Sequence, residues 1–314
     1  MIRETEKIGV LVLGFVRPEL LQRCLEALTG NLEQESVHAF FSLDGPRDNR
    51  SGDLELIKSC QDVFGEFESK FSRVTWLVSE QNQGLRKKVL ESVDKAFDEV
   101  DALIVLEDDC LVGTNSIGFF TRSLREFASE KTIGAISGTY LGPNLGPASP
   151  SIFGAKRFNS WGWATWKKNW KDFRSSKFSN SLLVELKGEM KRQTKTYPLP
   201  YRLEYSRMRK KANNLDSWAI PFGLFLKSQN LRTLKPTSNL VTNAGFDLDA
   251  THTRRGSYLS RQSASPTFQN YSLPKRAVSD HIEAFEAWRK LVLLSLELLT
   301  STFRFGKIRK PKNN

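Results

Sequence analysis

A chain of 314 residues can bury a substantial core, either as one large α/β domain with extensions or as two small domains. With 39% hydrophobic and 26% charged residues it has the composition of an ordinary soluble protein. No apolar run reaches the roughly 20 residues that span a bilayer; the nearest, Leu291 to Leu299, is too short and contains Glu297. The formal net charge is +12, which brings anionic partners into consideration.

The first half alternates strand-like and helix-like segments. Ile8 to Phe15 is a buried apolar run ending in the loop Val16-Arg17-Pro18, and Glu19 to Leu28 follows with apolar residues at helical spacing. His38 to Leu43 is a second strand closed by Asp44-Gly45-Pro46. Asp53 to Phe71 reads as helix, Val74 to Val78 as strand, Gly84 to Val100 as helix, and Ala102 to Leu106 as a strand that runs into three acids. A helix over Ile117 to Ala128 and a strand over Ile133 to Ser137 complete the series. Near-continuous apolar strands separated by helices predict a mostly parallel sheet covered on both faces, with ligands outside the carboxyl ends of its strands. The loops at 14–18, 44–49 and 107–110 are then expected to converge on one rim.

After Gly138 the character changes. A Pro/Gly loop at 142–150 leads into an aromatic cluster holding Trp161, Trp163, Trp166 and Trp170, then a basic stretch. Between Lys156 and Ala212 stand 16 Lys/Arg against 4 Asp/Glu, and the rest of the chain balances at 31 of each. Such a segment suits substrate phosphates, an acidic lipid surface or nucleic acid, or is simply a solvated helical insertion. A helix-like segment opens at Asp216, a strand lies at Leu231 to Leu234, a polar stretch covers 257–274, and a terminal helix spans Ser279 to Thr302 before a basic tail. That helix and tail have two readings: docking on the chain's own domain, or on an anionic membrane. The polar start gives no secretory signal. Cys24, Cys60 and Cys110 cannot all pair and lack metal-site spacing, so they read as reduced thiols of a cytosolic protein.

Three groups could carry chemistry. Consecutive carboxylates at Glu107, Asp108 and Asp109 repel one another, and a hard divalent cation, Mg²⁺ or Mn²⁺, would relieve that; the competing reading is a solvated acidic turn. Asp216, beside Trp218 and an apolar stretch, can be a general base or the N-cap of its helix. His252, in a loop after a glycine, is either a further metal ligand or a surface residue. Trp163, Trp166 and Trp170 stand at helical spacing. Trp161 and Trp163 are expected to line a pocket, with Trp166 and Trp170 packing.

A strand ending in paired acids after about a hundred residues of alternating β and α segments resembles the GT-A glycosyltransferases with their Asp-x-Asp-type motif. Residues 10–18 look like that family's first strand and nucleotide loop, Asn82 to Arg86 like the loop before the helix that precedes its metal strand, and Glu107-Asp108-Asp109 like the Glu-Asp-Asp form of the N-acetylglucosaminyltransferase I group. Trp161-Gly162-Trp163 resembles the Gly-Trp segment of the sugar and acceptor pocket, and Asp216-Ser217-Trp218 the segment carrying the catalytic base. The likeness covers residues 8 to 255. It implies a GT-A domain over 1–255, with a nucleotide-sugar half at 1–140 and an acceptor half at 141–255, followed by an extension at 256–314 with a helix and basic tail.

The roles implied by the resemblance are as follows. Asp109 binds Mn²⁺ or Mg²⁺, with His252 as a late ligand. Asp108 contacts the donor and Glu107 supports it. Arg17 and Asp44 line the nucleoside site, and Arg86 lies near the diphosphate or base. Asp216 is the base of an inverting transfer from a UDP-linked sugar to a glycan or lipid-linked acceptor, an anionic one given the basic segment. Trp161, Gly162, Trp163 and Trp218 shape the acceptor pocket. Cytoplasmic localisation follows, with peripheral membrane contact as the alternative fate of the last helix. A retaining transferase and a non-catalytic carbohydrate- or nucleotide-binding module are the rivals. No Gly-rich phosphate loop marks a nucleotidyltransferase, and no motif marks a nucleic-acid binder.

Overall fold

A computed structural model of the chain describes residues 7–31, 37–142, 152–213, 215–245 and 280–305, the last with side chains through 292. Its centre is an eight-stranded sheet. Strands β1 (Ile8–Gly14), β2 (His38–Leu43), β3 (Arg73–Val78) and β4 (Ala102–Glu107) run parallel, β1 lying between β2 and β4. After β3 the chain crosses back to the other side of β1 to lay down β4. This creates a topological switch point at the carboxyl ends of β1 and β4, where open α/β sheets bind ligands.

Beyond β4 the sheet continues through β8 (Trp163–Trp166), β6 (Ile133–Ser137), β9 (Arg232–Pro236) and β7 (Ile152–Ala155), with β8 and β7 reversed. A two-stranded ribbon pairs β5 (Cys110–Val112) with β10 (Val241–Asn243). The mostly parallel sheet flanked by helices is the fold class expected from the sequence. One sheet spans the expected halves on both sides of residue 140.

The flanking helices form where apolar residues recur at helical spacing. Helix α1 (Pro18–Thr29) begins on Pro18, whose missing N–H needs no partner there, and buries Leu21, Cys24, Leu25 and Leu28. Helix α2 (Asp53–Phe67) shares its face of the sheet, while α3 (Leu85–Glu99) covers the other with Val89, Val93, Ala96 and Phe97. Helix α4 (Ser116–Glu126) contributes to the same core as α1. The basic segment folds into α5 (Lys167–Arg174), α6 (Lys177–Asn180), α7 (Lys187–Gln193) and α8 (Leu199–Lys210), whose apolar residues join the second core with α9 (Ala219–Ser228).

The tryptophans expected at helical spacing do not share one helix. Trp163 and Trp166 lie in strand β8, not in a helix, and three residues along a strand point to opposite faces. Trp163 enters one core and Trp166 the other, its indole N–H donating to the Leu124 carbonyl at 3.0 Å. Only Trp170 is helical; it donates to Asp94 at 2.7 Å.

Helix α10 (Asp280–Phe305) docks on the domain, and charged groups anchor it. Glu283 accepts the backbone N–H groups of Lys156 and Arg157 at 3.0 and 2.9 Å. Glu286 accepts the Leu141 N–H and pairs with Lys235 at 2.8 Å, both side chains of that pair being fully buried. Burial opposes ionisation of Glu286, yet Lys235 holds its carboxyl below the usual range. Lys290 and Arg157 share Glu204 at 3.0 and 2.8 Å. The opposite side of α10 leaves Phe285, Trp288 and Val292 exposed at 61%, 48% and 54%.

Breaking a buried ion pair strands a charge in the core, which costs about 3–5 kcal/mol. Lys235→Met is expected to lower the unfolding free energy by that amount in urea titrations. Combining it with Glu286→Gln, which removes the stranded charge and still accepts from Leu141, is expected to restore most of the loss.

Candidate active site

Four rim loops meet at the carboxyl ends of β1 to β4. The loop after β1 supplies Arg17, whose guanidinium reaches across the switch point to the turn after β4. It bonds both oxygens of Asp108, from Nε at 3.2 Å and from Nη2, and pairs with Asp109 Oδ2 through Nη1 at 3.1 Å. Arg47, after β2, lies over the Phe15 ring at 5.0 Å, joining the first two loops.

The turn itself is tightly held. The Asp108 N–H donates to the Leu13 carbonyl at 2.8 Å, and the Asp109 carbonyl accepts from the Ala244 N–H at 2.8 Å. The Asn243 amide donates to Asp109 Oδ1 at 2.9 Å, and the Asn243 side-chain oxygen accepts from the Gly245 N–H at 2.8 Å. A β-carbon on Gly245 would fall against Asp109 Oδ2 and Arg17 Nη1, so a side chain there would have to push one of those groups aside. Trp218, buried against Trp163 and Phe158, lies beside Glu107 and favours its ionised carboxylate.

The electrostatics follow from three carboxylates sharing one guanidinium. Burial, then Asp109 and Asp108, push Glu107 up to about 8 against the pull of Arg17 and Trp218. Burial pushes Asp108 up to about 6, with Arg17 opposing and Asp109 adding to it. Burial disfavours the Arg17 cation, but Asp108 and Asp109 more than compensate and raise its pKa. The turn therefore has more negative charge than its own cation neutralises. Among the described residues no three His, Cys, Asp or Glu side chains converge as a metal cage.

The other expected site residues fall as follows. Asp44, buried after β2, accepts from the Gly45 and Gln83 N–H groups at 2.9 and 2.8 Å with Oδ1, and from the Gly84 N–H and the Asn82 amide at 3.0 and 3.1 Å with Oδ2. It fastens the loops after β2 and β3 together. Asp216 is exposed in an extended stretch before α9, and a β-carbon on Gly84 would lie 4.0 Å from its Oδ2. It is not the helix cap: Ser217 Oγ accepts the Ile220 N–H at 3.3 Å. Arg86 turns away from the strand ends toward the basic segment, donating to the Ser179 and Ser181 carbonyls at 2.9 and 2.8 Å.

Of the expected pocket residues, Trp163 is fully buried among Trp170, Trp218 and Phe222 and presents no face to a ligand. Gly162 is buried too, at φ +57°, with Val241 where a β-carbon would sit. Trp218 is likewise covered, while Trp161 is half-buried at the edge of the first core. His252 lies outside the described residues.

Residues 243–245 had no sequence signal beyond a glycine in a loop, since their role comes from the β10–β5 pairing. Lys88 was also missed, because one lysine on a helix reads as solvated. It is buried beneath the rim, donating to the Leu77 carbonyl at 2.7 Å and Ser79 at 2.8 Å. Burial pushes it down to about 8, with Asp44 pulling the other way.

No protein-family model and no curated protein matches the chain. Among solved structures it is similar to the mannosyltransferase PcManGT from Pyrobaculum calidifontis in complex with GDP-Man and Mn²⁺, at 11% identity over 73% of this chain and 70% of that one, TM-score 0.39. Glucosyl-3-phosphoglycerate synthase from Mycobacterium tuberculosis, in complex with Mn²⁺, UDP and glucosyl-3-phosphoglycerate, is 12% identical over 52% of this chain and 58% of that one, TM-score 0.33. A putative nucleotide-diphospho-sugar transferase from Desulfovibrio desulfuricans is 10% identical over 74% and 80%, TM-score 0.34.

Asp44→Ala would orphan four donors and is expected to cost about 2–4 kcal/mol in denaturant unfolding. A nucleoside-contacting role alone would instead weaken UDP binding and leave the unfolding free energy unchanged.

Proposed function

We propose that this chain is a metal-assisted glycosyltransferase of the GT-A type, using a nucleotide-sugar donor, with UDP as the nucleotide. The observation that carries this reading is the under-neutralised carboxylate turn at the switch point of a mostly parallel sheet, with a solvent-facing carboxylate, Asp216, across the Gly84 loop. The donor set fits Mn²⁺ or Mg²⁺, because hard oxygens and an uncompensated negative charge suit such a cation. One or two carboxylates suffice when substrate phosphates complete the shell, so a full protein cage is not required.

In this reading Asp109 holds the cation, Asp108 contacts the donor, and His252 is a further ligand. The bound cation neutralises charge on the leaving nucleoside diphosphate. Glu107, beside Trp218, holds the turn in place. Asp216 takes the proton of the acceptor hydroxyl as that oxygen attacks the anomeric carbon, giving inversion. Exposed Lys191, Lys195, Arg202, Arg207, Lys210 and Lys211 precede Asp216 in the chain and suit an anionic or lipid-linked glycan acceptor.

The test is a panel of nucleotide sugars with Mn²⁺, read by sugar transfer and by thermal shift. UDP with Mn²⁺ is expected to raise the melting temperature. Asp216→Asn is expected to lower turnover about 10²–10⁴-fold while keeping that shift. Undiminished turnover of Asp109→Ala in excess chelator would refute the metal role, and retention at the anomeric carbon by NMR would refute Asp216 as the base.

The location that fits this reading is cytoplasmic, in peripheral contact with an anionic membrane. Exposed Leu182, Val184, Leu199 and Leu203 sit among the basic residues, and Phe285, Trp288 and Val292 form an outward stripe on α10, which packs against α8. The sequence then adds Arg304, Lys307, Arg309, Lys310 and Lys312. No described helix is long and apolar enough to cross a membrane. The chain is expected to sediment with phosphatidylglycerol vesicles and not with phosphatidylcholine ones. Phe285→Ser with Trp288→Ser should weaken that binding by at least about tenfold. Equal, weak sedimentation with both lipids would exclude the contact.

A further inference from the structure

Arg17 occupies the carboxylates that the proposed function assigns to a cation and a donor. Its fork engages both oxygens of Asp108, and its Nη1 engages Asp109 Oδ2. The remaining Asp109 oxygen is taken by the Asn243 amide at 2.9 Å. Gly245 lies against the Arg17–Asp109 contact, where an added methyl group would have to displace one of the two. The guanidinium is only partly covered, with about a third of its side chain exposed (32%). It also sits in the first turn-forming segment before α1, at the end of a long side chain, and so can swing without moving the sheet.

A guanidinium and a divalent cation compete for one carboxylate oxygen, because both are cations and repel each other across so short a distance. Arginine is also the side chain best shaped to grip a phosphate, through the same planar fork that now grips Asp108. We propose that Arg17 is a resident counter-ion that excludes the cation from Asp109 until a nucleotide diphosphate draws the guanidinium away. The inference rests on the glycosyltransferase reading of this site. The two aspartates are kept partly neutralised by an internal cation before donor arrives. Cation and diphosphate then bind as a coupled pair, because each removes the obstacle to the other: the diphosphate takes the guanidinium, and the vacated carboxylate takes the metal. Arg17 is thereby a positioning residue for metal entry.

Equilibrium dialysis of Mn²⁺ tests this without any turnover, with a protein-free chamber correcting for Mn²⁺ held by UDP alone. Wild-type protein is expected to retain little Mn²⁺ by itself and far more with UDP. Arg17→Gln is expected to bind Mn²⁺ without UDP about tenfold or more tightly than wild type, and to gain less from adding UDP. Arg17→Lys, whose single ammonium cannot fork onto Asp108 while reaching Asp109, is expected to move the same way by a smaller factor. It carries the test should Arg17→Gln fail to fold. Wild type binding Mn²⁺ alone as tightly as both variants, with UDP-dependent uptake intact, would overturn the counter-ion role and leave the glycosyltransferase reading standing. No uptake by any of the three proteins, even with UDP, would overturn both.

Discussion

Three consecutive carboxylates at the end of a buried strand repel one another, and Arg17 relieves that repulsion from the loop after the neighbouring strand β1. Much of the site's geometry follows from this pairing. It requires β1 and β4 to be neighbours, which the crossover after β3 achieves, and it requires the first rim loop to fold back over the turn instead of projecting into solvent. The ribbon β10–β5 then seats Asn243 and Gly245 on the far side of Asp109, so that chain segments more than two hundred residues apart close on one carboxylate.

The parts legible in the sequence were those with strong local patterning. Apolar runs marked β1, β2 and β4, and the acids at 107–109 marked the end of β4. Short strands escaped notice, because three or four residues carry no usable period. Trp163 and Trp166 show the hazard: a spacing of three suggested one helical face, yet the residues belong to a strand and to opposite cores. Asp44 and Arg86 were expected, by resemblance, at the nucleoside and near the diphosphate or base. Their partners are backbone groups of Gln83, Gly84, Ser179 and Ser181, which no side-chain pattern reveals.

The terminal helix carries a related lesson. Its apolar residues suggested the docking surface, but the groups that seat it are Glu283, Glu286 and Lys290. Paired charges in an interior contribute less to raw stability than to the choice of one arrangement. They fix the helix's rotation, and so turn Phe285, Trp288 and Val292 outward.

Asp44 has a consequence for how this surface can be altered. Its two oxygens join the loop after β2 to the loop after β3, and Gly45 approaches the Gln81 backbone too closely to accept a side chain. The two loops therefore form one structural unit. A chimera that imports either loop without the other inherits orphaned donors on one side and an unanswered carboxylate on the other. The rim can be diversified by exchanging the pair, and the unit of variation at this site is larger than any one loop.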